Sequence, residues 1–310
     1  MGRVRKKGQN ITGWLVLDKP LGLTSTQALG KVRWLLDAKK AGHAGTLDPL
    51  ASGVLPLAFG EATKTINFMM DARKIYEFTV QWGIATATLD AEGEVVARSD
   101  VRPDRTEIEA VLARFVGDIE QRPPKFSAIK VDGMRAYDLA RAGAEVVLKS
   151  RPVRIDALTL NDTSDADHAA FTVHCGKGTY VRSLARDLAD ALGTKGHVVH
   201  LRRTRVGPFY TDQALSIDAL EALVNTGAAL GALQPLSAAL TDIAHFEVSA
   251  EQAADIRLGR AITLDAASLV ALEEGAQVYA HCAGQPVAIG HVDAGIFKVI
   301  RGFNPLAPNA

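Results

Sequence analysis

Cysteine is scarce in this 310-residue chain: Cys175 and Cys282 stand alone, far apart and in no Cys-x-x-Cys or Cys/His ligand spacing. That excludes a disulfide framework and argues against a zinc site, and it fits a reducing, cytoplasmic setting. Long apolar runs are absent too, so no segment reads as a membrane span. The run from Ile11 to Leu17 follows a basic start, Arg3-Val4-Arg5-Lys6-Lys7, but Asp18-Lys19-Pro20 ends it before a signal-peptide core and cleavage site can form. There is no internal repeat or low-complexity tract. The formal net charge is +0, so bulk charge gives no sign of a polyanionic partner.

What the total hides, the distribution reveals. Residues 1–64 carry a net +6 and residues 174–205 a net +5, while 65–173, 206–245 and 246–310 carry −4, −4 and −3. If the two basic segments meet in the fold, they make one positive face of the kind that tracks a phosphate backbone. With 47% hydrophobic and 23% charged residues, the composition is that of a globular protein with one large core or a large and a small one.

Periodicity places the main elements. Trp14 to Leu17 reads as a short buried strand, Asp18 to Gly22 as a turn, and a helix capped by Thr24 or Ser25 follows with Ala28, Val32, Leu35 and Leu36 on one face. Tyr76 to Trp82 alternates strictly, which predicts a strand with Tyr76, Phe78, Val80 and Trp82 on one side. Asp104 to Val116 predicts a helix with Thr106 and Glu109 as capping box and Gly117 as terminator. A turn- and cation-rich stretch from Arg122 leads into a short helix expected at Met134 to Arg141, and about 122–150 reads as a mobile lobe. Strands are expected at Val153–Leu160 and Ala169–Cys175. A second amphipathic helix begins after Lys177-Gly178-Thr179, with Val181, Leu184, Ala185, Leu188 and Leu192 buried and Gly193 at its end. The chain beyond Pro208 is Ala/Leu-rich and helical, and Thr241 to His245 reads as a linker. The remainder predicts a helix at Ala250–Leu258 capped by Ser249 and three short strands.

The most constrained stretch is Gly42 to Pro56, with three glycines, two prolines and one carboxylate, Asp48. Gly42 and Gly45 allow unusual backbone or close approach, while Pro49 and Pro56 fix φ, so an ordered loop aims one carboxylate. The helix after Gly178 carries Arg182 and Arg186. Arg186 has Asp190 one turn on, but the residue four after Arg182 is Arg186 itself. Two like charges in adjacent turns are unfavourable, so Arg182 calls for an anion elsewhere, Asp48 or an RNA phosphate.

Gly42-His43-Ala44-Gly45-Thr46-Leu47-Asp48-Pro49 resembles the catalytic loop of pseudouridine synthases of the tRNA T-loop family, the TruB type. Four other pieces match that family in order: Gly13 to Ser25, Pro123-Pro124 to Lys130, Lys177 to Arg182, and His197 to Thr204. One departure is Ala87 in Thr86-Ala87-Thr88-Leu89-Asp90, where many members carry an acidic residue. Asp255 to Ile262 resembles, more weakly, the start of a PUA-type RNA-binding module.

The resemblance implies an α+β fold: a mixed, largely antiparallel sheet of the pseudouridine synthase fold with flanking helices, plus a small C-terminal PUA-like β domain. The expected division is a catalytic domain at 1–245 and the PUA-like domain at 246–310. It implies isomerisation of the T-loop uridine (position 55) of tRNA, by base flipping and carboxylate catalysis, with no cofactor, no metal and no obligatory protein partner. Asp48 would be catalytic, by attack on ribose or base or by removing a ribose proton. Tyr76 would be the platform for the flipped base, Tyr180 and Leu201 would line its pocket, Arg182 would orient Asp48, and His43 would sit against the T-loop nucleotides. Lys19 and Lys64 are expected RNA-backbone (phosphate) or structural contacts rather than catalysts, and Lys130 and Arg141 are expected RNA-backbone contacts from the mobile lobe. Two alternatives are a guide-dependent rRNA synthase of the same superfamily and a non-catalytic tRNA folding or binding protein.

Overall fold

The structure, a computed structural model, describes residues 8–127, 129–131, 134–135, 137, 148–269 and 272–305. Its strands in chain order are β1 (Gly13–Lys19), β2 (Ala41–His43), β3 (Ala51–Phe59), β4 (Lys74–Trp82), β5 (Ile84–Thr86), β6 (Val95–Arg98), β7 (Gly117–Gln121), β8 (Lys130–Val131), β9 (Met134–Arg135), β10 (Arg151–Asp165), β11 (His168–Cys175), β12 (Gly196–Val206) and β13 (Phe209–Tyr210), followed by β14 (His245–Glu247), β15 (Ile262–Thr263), β16 (Gln277–Cys282), β17 (Gln285–Asp293) and β18 (Ile296–Gly302). A nine-stranded sheet runs β1-β3-β12-β4-β11-β10-β7, with β2 on β3 and β13 on β12. All its pairs are antiparallel except β3 with β12, where Leu201, Arg202 and Arg203 lie beside Ala51, Ser52 and Gly53. The architecture is α+β, with a mixed, largely antiparallel sheet.

Strand β4 buries every second residue, as its alternation predicts. β3 has no such alternation, and Pro56 argues against a strand; it is nonetheless the strand beside β1, because both of its faces are covered. Leu55, Leu57 and Phe59 enter the core that contains the helices Ser25–Leu35 and Val181–Ala191, while Val54 and Ala58 join Trp14, Val16 and Phe209 in a second core on the other side. The expected loop therefore ends at Leu50, and the second half of the Gly42–Pro56 stretch is sheet.

The first helix has Thr24 as N-cap in a box with Gln27. The helix expected at Asp104–Val116 runs Arg105–Leu112, and its box is Asp104 with Glu107, not Thr106 with Glu109; Asp104 is the residue in extended backbone and already accepts from the Glu107 amide. Met134–Arg135, expected to be helical, pairs as a strand with Lys130–Val131. The rest of that expected helix, apart from Tyr137, lies outside the described residues, as does about half of the expected mobile lobe.

From His245 onward the chain forms a five-stranded sheet, β14-β16-β17-β18-β15, with the helix Ala250–Arg257 capped by Ser249 and Gln252. Its interior is a separate apolar cluster around Phe246, Ile256, Val278 and Phe297. Tyr279, Ile289 and Phe303 pack instead against the second core of the large sheet. Among the described residues no helix is long and apolar enough to cross a membrane.

Candidate active site

Between β2 and β3 the chain turns through Gly45 (φ +85°) to Asp48. Three groups brace this loop. Ser25 Oγ accepts from the Leu47 amide (2.8 Å) and donates to the Leu47 carbonyl (3.0 Å), the Gly22 amide donates to the Pro49 carbonyl (2.9 Å), and Arg203 Nη2 donates to the Gly45 carbonyl (3.0 Å). Gly53 is required for the approach of β12, since a Cβ there would lie 2.2 Å from the Arg203 carbonyl oxygen. The Asp48 carboxylate is thus carried on a fixed turn, with its side chain 39% exposed.

Arg182 enters from the first turn of the Val181–Ala191 helix, its side chain only 6% exposed. Nη2 pairs with Asp48 Oδ2 at 2.7 Å and donates to the Phe126 carbonyl at 3.0 Å. Nη1 pairs with Asp90 Oδ2 at 3.1 Å and donates to the Thr88 carbonyl at 2.7 Å. A buried guanidinium needs its donors satisfied and its charge matched; here two carboxylates and two carbonyls do both. Asp90 is buried and held in turn by the Thr88 hydroxyl and by the Glu92 amide (3.2 Å). The backbone that delivers it is unusual, with Leu89 at φ +64°.

The same helix start is fixed by Gln121, whose Oε1 accepts from the Tyr180 amide (2.8 Å), and Ser183 Oγ donates to the Arg122 carbonyl (2.8 Å). Arg186 pairs with the adjacent Asp187, not with Asp190, which pairs with Lys195.

These groups border a cavity of about 310 Å³ lined by Asp48, Tyr76, Tyr180, Arg182 and Leu201, together with Lys74, Arg151 and Arg203. Tyr76 is buried on β4, and burial pushes its phenol above the usual range, opposed by the nearby Arg203 guanidinium, 6.0 Å from the ring centroid. Tyr180 lies under the Arg151 guanidinium at 5.1 Å. Leu201 is buried in register with Phe78 and Ala51, forming an apolar wall. Burial lowers the pKa of Lys74 to about 8; its ammonium donates to the Met70 (2.8 Å) and Ala72 (2.6 Å) carbonyls at the end of the Ile66–Asp71 helix.

The cavity thus brings together five residues singled out from sequence: Asp48, Tyr76, Tyr180, Arg182 and Leu201. His43 is half-buried in β2 and does not line it; burial and then Arg203 lower its pKa, and its buried Nδ1 has no hydrogen-bond partner among the described residues. Lys19 is fully buried, with Nζ donating to the Pro20 (2.8 Å) and Leu23 (2.7 Å) carbonyls. Lys64 stays partly exposed; its ammonium pairs with Glu61 (2.7 Å) and donates to the Gly302 carbonyl (2.9 Å), which ties the large sheet to the small one. The Lys130 side chain and Arg141 lie outside the described residues.

Asp90, Arg203 and Lys74 were missed. The loop of Asp90 was marked only by its departure from the family pattern at Ala87, yet it supplies the second carboxylate of Arg182. The readable signal was an acidic turn, Asp90-Ala91-Glu92-Gly93, in a chain with a buried arginine to neutralise. Arg203 lies in the matched piece His197 to Thr204, but nothing in the sequence marked its role, because its partners among the described residues include the Val54 (2.8 Å) and Gly45 carbonyls and no carboxylate.

Comparison with known proteins agrees with the resemblance. Residues 33–181 match the model of the TruB family pseudouridylate synthase N-terminal domain, and residues 182–241 that of the tRNA pseudouridylate synthase B C-terminal domain. A protein of Caulobacter sp. strain K31 named tRNA pseudouridine synthase B is 53% identical over 96% of this chain and 98% of its own length. One of the same name from Cereibacter sphaeroides strain ATCC 17023 is 49% identical over 98% of this chain and all of its own. Among solved structures, the archaeal box H/ACA sRNP Nop10-Cbf5 complex contains a chain of similar fold, with a TM-score of 0.72 at 22% identity, covering 98% of this chain and 93% of that one.

Proposed function

This chain belongs to the TruB family of pseudouridylate synthases, which isomerise uridine to pseudouridine in RNA, and from that premise we propose that its substrate is the T-loop uridine of tRNA (position 55) and that Asp48 is the catalytic carboxylate. The names of its relatives support the tRNA substrate. The observation that carries the site assignment is the buried Asp90–Arg182–Asp48 chain, which ends on a partly exposed carboxylate at the mouth of an aromatic-lined cavity.

The chemistry follows from what the cavity can do. A uracil inside folded RNA is out of reach, so the nucleotide leaves its stack and enters the pocket, where Tyr76 offers a face and Leu201 a wall. The reaction breaks the bond between ribose and N1 of the base, the base turns, and a bond forms to C5. One hydrogen leaves C5 and one is gained at N1, so substrate and product have the same formula and no redox partner is needed. Asp48 supplies the carboxylate that acts on the nucleotide, and covalent or general-base action splits one hard step into easier ones. Arg182 fixes the direction of that carboxylate, and Asp90 fixes Arg182. A detached base cannot drift while both walls of the pocket hold it.

The reading includes action without a guide RNA or protein partner, a cytoplasmic location, and a division of the chain into a catalytic domain at 1–245 and a PUA-like domain at 246–310. Purified protein with an unmodified tRNA transcript tests it: pseudouridine at the T-loop position, formed without other components, is the expected product. Product only in the presence of a guide RNA, or tRNA binding with no product, would overturn it.

A further inference from the structure

We propose that the end of the first helix and the turn that follows it form a second RNA-contact face, built from Trp34 on the helix and Lys39 and Lys40 on the turn, which grips the same RNA strand beyond the nucleotide held in the cavity; this rests on the reading of the protein as an RNA-modifying enzyme. Trp34 is 77% exposed, the most exposed large hydrophobic side chain among the described residues. Its helix packs on the core through Ala28, Val32 and Leu36, so folding gives no reason for an indole on the opposite side. An exposed aromatic beside cations is the pairing that stacks on bases while holding phosphates.

The cations are free for that role. Lys39 and Lys40 are exposed and enter no ion pair among the described residues, whereas Lys31 on the same helix pairs with Glu221 at 2.9 Å. Another cationic cluster near the cavity differs on this point: Arg73 and Arg154 pair with Asp156, Arg154 also with Asp118, and Lys177 with Asp71. The turn carrying Lys39 and Lys40 is braced rather than loose. Arg33 donates from Nε to the Ala38 carbonyl (3.0 Å) and from Nη2 to the Lys39 carbonyl (2.9 Å), and Gln9 bridges it through the Asp37 carbonyl (2.5 Å) and the Lys39 amide (2.9 Å). One exposed carboxylate, Asp37, shares the turn.

Position argues for one occupant. Lys40 immediately precedes β2, three residues from His43 and so about 10 Å along the strand. An RNA backbone leaving the Asp48 loop along β2 therefore meets Lys40, then Lys39 and Trp34.

The test measures tRNA affinity across a salt series for the full chain. Lys39→Gln/Lys40→Gln should weaken binding and flatten the plot of log affinity against log salt by about one to two, the loss of two phosphate contacts. Trp34→Ala should weaken binding about fivefold or more with the salt slope unchanged, and Trp34→Phe should restore part of it. All three side chains are exposed, so the variants should keep the wild-type melting temperature and, at saturating tRNA, the wild-type kcat. Wild-type affinity and wild-type salt slope in both variants would overturn the proposal. Because affinity is read without turnover, a wild type that binds tRNA but forms no pseudouridine would overturn the functional reading and not this one.

Discussion

Among the described residues the small sheet buries Phe246, Ile256, Val278, Val287 and Phe297 and not one charged side chain, whereas the large sheet buries Lys19, Lys74, Asp90, Arg182 and Arg203. Of these, Lys74, Arg182 and Arg203 line a single cavity and Asp90 is bonded to one of them. Apolar burial stabilises a fold with no chemical consequence, while a buried ion costs free energy unless partners compensate it. The difference between the sheets therefore says where this chain accepts that cost, and it does so around Asp48. The small sheet meets the large one through Tyr279, Ile289 and Phe303.

The strongest way to break this comparison is Arg182→Ala. It leaves Asp48 and the buried Asp90 facing each other without a cation, so stability should fall by about 3–5 kcal/mol and pseudouridine formation should be lost even in the folded fraction; urea melts with product assays on the same samples check both. Phe297→Ala should destabilise the small sheet by a similar amount, about 3–5 kcal/mol, yet leave single-turnover rate per folded molecule unchanged. A rate loss matching that of Arg182→Ala would erase the distinction between the sheets.

A pH series sharpens it further. Burial lowers Lys19 and Lys74 to about 8, so between pH 8 and the unfolded value of 10.5 the unfolded chain holds protons that the folded chain has released. Stability from these lysines rises with pH in that window, by about 1 kcal/mol for each between pH 8 and 9. Above pH 9 Cys175, pushed up to about 11 by burial, opposes the rise. Urea midpoints should increase from pH 8 to 9, less so in Lys19→Met, while opening of the small sheet, read by hydrogen exchange corrected for intrinsic rates, should stay flat. The smallest effect is expected for Lys64→Met, which removes one clamp between the sheets: about 1 kcal/mol or less, seen as faster exchange in β18 without a change in tRNA affinity.

Much of this was legible because local rules and tertiary structure agree. Tyr76 to Trp82 alternates and faces one core; Thr24 and Ser249 cap as their positions require; the like-charged turn of Arg182 and Arg186 demanded a distant anion, and Asp48 is there. Legibility failed where burial is two-sided or partners are backbone. β3 lost its alternation because both faces are covered. β12 carries Arg202, Arg203 and Arg205, which read as surface until Asp18 neutralises the first, the Val54 and Gly45 carbonyls hold the second, and the third donates to the Gly207 carbonyl over the Tyr210 ring. Lys19 and Lys64 left phosphate and structural roles open for the same reason: a lysine gives no sequence sign that carbonyl oxygens hold its ammonium.

The central claim, that Asp48 on its braced turn is the group that acts on the uridine, is tested most directly by mapping pseudouridine on one unmodified tRNA transcript with wild type and Asp48→Asn. The substitution keeps the shape of a side chain that is partly exposed, so tRNA binding and melting temperature should persist while product at the T-loop position disappears. Equal conversion by the two proteins would contradict the account.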